Sequence, residues 1–150
     1  MGYDHSMCLH AQVKSGVTVD QVAEVIKPLL EYWGAEINSE ESSFNNKFSF
    51  DPETGDLDVE TAGEVGYGYR DLVEEAASRL SQIVEGAGEI ELRNHDTGDL
   101  DNAISVIEFG PSDEAIKAYI EKRDIDEGLE LMKLHLPEEK IEAIRALIAS

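Results

Sequence analysis

Carboxylates alternate with apolar residues in two segments of the chain, 56–61 and 89–92. Alternate residues of a β-strand lie on one face, about 6.6–6.8 Å apart, so this spacing predicts regular rows of negative charge on one face of a sheet. Such rows can bind cations or a basic protein surface. The candidate protein-binding residues are Asp56, Asp58, Glu60, Glu89 and Glu91.

The net charge of the whole chain is unusually negative. Its 150 residues include 33 acidic and 12 basic ones, for a formal charge of −21, whereas a small domain usually carries roughly 2–8 charges of either sign. Both halves of the sequence share the excess. This charge repels nucleic-acid backbones and anionic membranes, so we expect neither as a direct partner and expect a basic protein surface instead.

These features predict a non-enzymatic, acidic protein-binding module. Its most specific form is a nucleic-acid mimic that inhibits a DNA- or RNA-binding protein, with the row on 56–60 imitating a phosphate backbone. Two alternatives explain the acidity differently. Alternating acids are also typical of the solvated face of a half-buried strand, and proteins of salt-rich cytoplasms are acidic throughout.

A second candidate site lies on the strand predicted at 7–14, where Cys8 and His10 share a face. Two such ligands make half of a structural zinc site, which normally needs four. The negative surroundings also disfavour the thiolate that a nucleophilic cysteine requires. A ligand- or metal-binding role at Cys8 and His10 therefore stays the alternative function, and the sequence predicts no catalytic residue, metal site or cofactor. The single cysteine and the absence of a signal-like N-terminus lead us to expect a cytoplasmic protein.

The hydrophobic pattern predicts an α+β fold with the element order β-α-β-β-α-β-β and two helices on one face of the sheet. Thr18 and Gln21 form a capping-box pattern at the start of the first helix, and Pro28 inside it predicts a kink or an early break. The segment 102–109 is apolar on both faces, which favours a central position in the sheet. The predicted strands are 7–14, 44–50, 56–65, 89–94 and 102–109, and the predicted helices are 18–33 and 72–84.

Two architectures fit this order. One is the ferredoxin-like plait, the split βαβ arrangement. The other is a duplicated αββ unit, which the recurrence of the sequence 54–58 (TGDLD) at 97–101 favours.

The last part of the chain is predicted to be helical. We divide the sequence into an α+β sheet domain, 1–110, and a tail of about three short helices, 111–150, that begin near Ser112, Asp124 and Pro137. The tail has more apolar residues than short helices can bury alone. Packing on the same domain and an interface, including a homodimer, are both open.

Overall fold

The computed structural model describes residues 3–39, 46–96 and 103–149. The chain forms two compact units, a sheet unit (Met1–Ile116) and a helical unit (Lys117–Ser150). Among the described residues, no helix is long and apolar enough to cross a membrane.

The sheet unit contains one five-stranded sheet. Its strands are β1 (Tyr3–Gln12), β2 (Asn46–Phe50), β3 (Asp56–Val65), β4 (Gly88–Asn94) and β5 (Ile104–Phe109). They lie in the order β2-β3-β1-β4-β5, and every neighbouring pair is antiparallel. The strands β1 and β2 therefore run in the same direction with β3 between them. The prediction of an α+β fold is confirmed.

Three helices of the sheet unit contribute to its core: α1 (Val19–Val25), α2 (Lys27–Trp33) and α3 (Tyr69–Leu80). The Thr18 side chain accepts a hydrogen bond from the backbone of Gln21, whose side chain accepts one from the Thr18 backbone, which confirms the predicted capping box. The predicted single helix 18–33 breaks at Ile26. Pro28 lies in the first turn of α2, the position where its missing N–H and fixed φ are tolerated.

The core forms on the sheet face that α1, α2 and α3 cover, because every second residue of the central strands is apolar there. On β1, Leu9 is buried while its neighbours Cys8 and His10 are exposed. Further buried core residues include Val22, Leu29, Phe48, Phe50, Leu57, Val59, Val73, Leu80, Ile90, Leu92 and Phe109.

The predicted central position of 102–109 is wrong, since β5 is an edge strand. Ile104, an apolar residue on its second face, is 47% exposed. The two hairpins also occupy inequivalent places, because β3 adjoins β1 whereas β5 lies at the edge. This order does not have the symmetry expected of a duplicated αββ unit, and the second copy of the repeated sequence, 97–101, lies outside the described residues.

The predicted tail of three short helices is two helices, α4 (Asp113–Met132) and α5 (Glu138–Ala149). Ser112 caps α4 as predicted, because its Oγ accepts a hydrogen bond from the backbone of Ala115. The prediction that a second helix begins near Asp124 is wrong: neither a proline nor a glycine adjoins Asp124, and α4 continues through it. Within the helical unit, Leu129 on α4 and Ile141 on α5 are buried.

Candidate protein-binding face

The sheet face opposite the core carries the polar side chains that alternate with the buried ones. We call it the open face. All five predicted carboxylates lie on it by this alternation: those of 56–60 on β3 and those of 89–91 on β4. The open-face residues used below are Ser6, Cys8, His10, Lys47, Asp56, Asp58, Glu60, Glu89, Glu91, Arg93, Ile104, Val106 and Glu108.

The strand register brings the two predicted rows to either side of Cys8. Its Cα partner on β3 is Glu60, and its partner on β4 is Glu91. Directly opposite residues in antiparallel strands have Cα atoms about 4.5–5.5 Å apart. The same cross-strand line continues to Lys47 beyond Glu60 and to Val106 beyond Glu91. Two carboxylates thus flank one thiol across three neighbouring strands.

This environment favours the protonated form of the Cys8 thiol. Partial burial raises its pKa, and the negative charges of Glu60, Glu91 and Asp58 raise it further, while Lys47 has a smaller opposing effect. The thiol therefore stays protonated at neutral pH. That agrees with the sequence argument against a cysteine nucleophile.

Ion pairs on the open face include those of Asp58 and Glu91. Nδ1 of His10 lies 2.6 Å from Oδ1 of Asp58, and the Arg93 guanidinium lies 3.1 Å from Oε1 of Glu91. Both pairs are exposed. The acidic rows are consequently interleaved with an imidazole and a guanidinium, which makes the face a pattern of charges with a negative excess.

A surface cleft of about 360 Å³ lies beside Cys8. Glu60 and Glu91 line opposite sides of it, and Arg93 and Ser6 also contribute. A cleft with two carboxylates at its rim suits a cationic side chain of a partner better than an apolar ligand.

The metal hypothesis for Cys8 and His10 gains no third ligand: in the ranges 3–39, 46–96 and 103–149, no group of three His, Cys, Asp or Glu residues is placed to hold an ion. The register instead gives Cys8 two carboxylate neighbours, and His10 is paired with Asp58.

Two parts of this site were missed from the sequence. Lys47 lies on the open face because it alternates with the buried Phe48, a signal that the predicted strand 44–50 already contained. Ile104 and Val106 give the β5 end of the face an apolar margin. The alternation in β5 indicates which face these two residues share, but an apolar pattern on both faces is also typical of a central strand.

An aromatic cluster on the core side was also missed. The ring of Tyr69 on α3 lies 5.1 Å from that of Tyr32 and 5.9 Å from that of Trp33, both on α2. The Trp33 indole N–H donates to the Tyr69 hydroxyl at 3.3 Å, and burial raises the pKa of Tyr69. This cluster joins two helices behind the sheet and has a structural role.

Comparison with known families identifies one match. The model of DUF6806, a family of unknown function, matches residues 6–150, so the chain belongs to that family. The match includes most of the sheet unit and the whole helical unit. No curated protein and no solved structure matches the chain.

Proposed function

We propose that this member of the DUF6806 family is a non-enzymatic protein-binding module whose open face binds a basic surface of another protein. The observation that supports this most is the line of Glu60, Cys8 and Glu91 across three strands, with the cleft between the two carboxylates. A cationic side chain from the partner would enter that cleft. The partner is thus defined by its chemistry, a folded surface rich in Arg and Lys.

The distribution of charge between the two units favours the sheet unit as the binding part. Residues 1–116 hold 25 acidic and 6 basic residues, for a net charge of −19, whereas 117–150 hold 8 and 6, for −2. A strongly charged unit accelerates encounter with an oppositely charged partner and enforces a preferred orientation. The interleaved Lys47 and Arg93 would add specificity, because a partner must avoid placing its own cations opposite them.

Nucleic-acid mimicry is the narrower form of this proposal. It rests on Asp56, Asp58 and Glu60, which follow one another along a single strand face. The basic surface would then be the nucleic-acid-binding cleft of the partner. Lys47, opposite Glu60, interrupts the negative field on one side of that row, and so the broader form has more support.

We also propose a fold type and a cellular compartment for the chain. The order β2-β3-β1-β4 corresponds to the ferredoxin-like plait, and we infer that β5 is an addition at its edge. We propose that the protein is cytoplasmic. Its single cysteine, Cys8, forms no disulfide within the chain, which supports this proposal.

The experiment compares two double variants with the same change in net charge. Glu60→Gln with Glu91→Gln removes both carboxylate charges from the cleft, while Glu24→Gln with Glu75→Gln removes two exposed carboxylate charges from α1 and α3, the helices on the core side of the sheet. The probe is an immobilised oligo-arginine peptide, with affinity measured at low ionic strength and at about 0.5 M salt, where screening is strong.

We expect the cleft variant to bind the peptide about tenfold more weakly, the control to change by about twofold or less, and salt to weaken binding by the parent chain. Equal losses in both variants would show that net charge acts without the open face and would contradict the proposal. Displacement of duplex DNA from a basic DNA-binding protein would support the mimic form, and failure to displace it would remove that form alone.

A further inference from the structure

The helical unit combines near neutrality with exposed apolar side chains, an unusual pairing in so acidic a chain. Its net charge is −2, against −19 for the sheet unit. Large side chains exposed there include Ile125, Leu131, Met132, Leu134, Leu147 and Ile148. Contiguous exposed apolar surface typically marks an interaction site.

Part of this surface is a groove between α4 and α5, with a volume of about 310 Å³. Ala118, Ile125 and Leu129 line it from α4 at helical spacing, and Ile148 and Ala149 line it from α5. Ile125 is 38% exposed and Ile148 is 49% exposed, whereas Leu129 is buried at the base. The groove is therefore an apolar stripe that the helical unit does not cover itself.

Charges of both signs surround that stripe. Glu121 and Asp126 line the groove together with Lys122 and Arg145, and Nη1 of Arg145 lies 3.8 Å from Oδ1 of Asp126. A surface with both signs at its rim can be self-complementary, since a two-fold axis places the cations of one copy near the anions of the other. The sheet unit does not have similar numbers of acidic and basic residues. Two sheet units in contact would repel each other, because each carries a net charge of −19.

We propose that the groove between α4 and α5 is a homodimer interface, occupied by the same groove of a second copy. Ile125 and Ile148 are its apolar contacts, and Lys122 and Arg145 pair with acidic residues of the second copy at the rim. The two acidic sheet units remain the source of repulsion within the dimer. Salt must therefore strengthen this association, the reverse of its effect on binding of a basic partner by the open face.

The test is sedimentation velocity of the full chain over a range of concentrations, at low ionic strength and at about 0.5 M salt. Ile148→Gln and Ile125→Gln each place an amide in the groove from a different helix. Leu147→Gln is the matched control, because Leu147 adjoins Ile148, is 75% exposed and does not line the groove. Circular dichroism of each variant establishes that α4 and α5 are retained.

We expect the parent chain to form dimers whose association constant rises with salt. Each groove variant should weaken dimerisation about tenfold, and the control should change it by about twofold or less. A parent chain that stays monomeric at both salt concentrations overturns the proposal. So does a groove variant that keeps its fold and dimerises like the parent, or a control that loses as much association as the groove variants.

Discussion

Cys8 is exposed, yet its surroundings suppress its reactivity. A thiol reacts through its thiolate. Partial burial of the Cys8 side chain disfavours that charged form, and the carboxylates of Glu60 and Glu91 oppose it further. The cysteine contributes a small side chain to the cleft without offering a nucleophile.

We expect the alkylation of Cys8 by iodoacetamide to have a pH midpoint above that of an unhindered thiol. Neutralising Glu60 and Glu91 together should lower the thiol pKa and speed alkylation at pH about 8, since removing negative charge favours the thiolate. Burial is the largest cause of the raised pKa, so part of the shift should persist. The measurement is the pH–rate profile, with Glu24→Gln and Glu75→Gln together as the control. An unchanged midpoint in the cleft variant would contradict the electrostatic account.

At the scale of elements, local chemistry predicts structure well where a single segment determines its own conformation. The strand 56–65 has the predicted bounds because its alternation is bounded by the turn at 52–55. Thr18 begins α1 as expected because its capping contacts span only three residues. These signals are all short-range.

Sheet order depends on pairing between distant segments, and local patterns do not specify it. The apolar pattern of β5 is compatible with a central strand, but β1 takes the centre because β3 and β4 pair with its two edges. For the same reason the predicted carboxylates could be placed on one face, while their approach to either side of Cys8 could not be foreseen. That approach follows from the register of three strands.

Gly55, in the turn between β2 and β3, requires glycine for two reasons, whereas Gly34, which ends α2, requires it for one. Gly55 and Gly34 both have positive φ, +79° and +60°, but a Cβ on Gly55 would meet the carbonyl oxygen of Val13 at 2.5 Å, whereas one on Gly34 would meet nothing within 4 Å. Gly34→Ala should lower the free energy of unfolding by about 1–2 kcal/mol, the cost of the left-handed conformation. Gly55→Ala should cost at least about 1 kcal/mol more, because the Gly55 carbonyl also accepts a hydrogen bond from Val13. Urea unfolding measures both, and equal losses would contradict the close approach of 55 to β1.

At the scale of the whole molecule, the acidity divides between the two units more unevenly than between the two halves of the sequence. The charge of −19 on residues 1–116 represents self-repulsion that the fold must overcome. Salt adaptation and a binding role predict different effects of this repulsion on folding. A salt-adapted protein folds only when salt screens its charges. A binding module folds without added salt, and its negative charge then attracts the basic partner.

We expect added sodium chloride to raise the free energy of unfolding, with most of the gain below about 0.3 M, because the Debye length falls from roughly 30 Å at 0.01 M to 10 Å at 0.1 M. Urea is the suitable denaturant, since it adds no ions. A chain that is folded in dilute buffer favours the binding role, whereas one that folds only in molar salt favours adaptation. A free energy of unfolding that does not change with salt would contradict the self-repulsion argument.

The central place of β1 has a consequence for how the chain is made. Tyr3–Gln12 is the first described strand, but its partners β3 and β4 end near residues 65 and 94. At about 5–20 residues per second, translation needs roughly 4–16 s to pass from the end of β1 to the end of β4. For that interval Met7, Leu9 and Ala11 belong to a strand with an incomplete set of neighbours. During that time this apolar segment must not pair with other polypeptides, because its own partner strands, β3 and β4, have not both been synthesised.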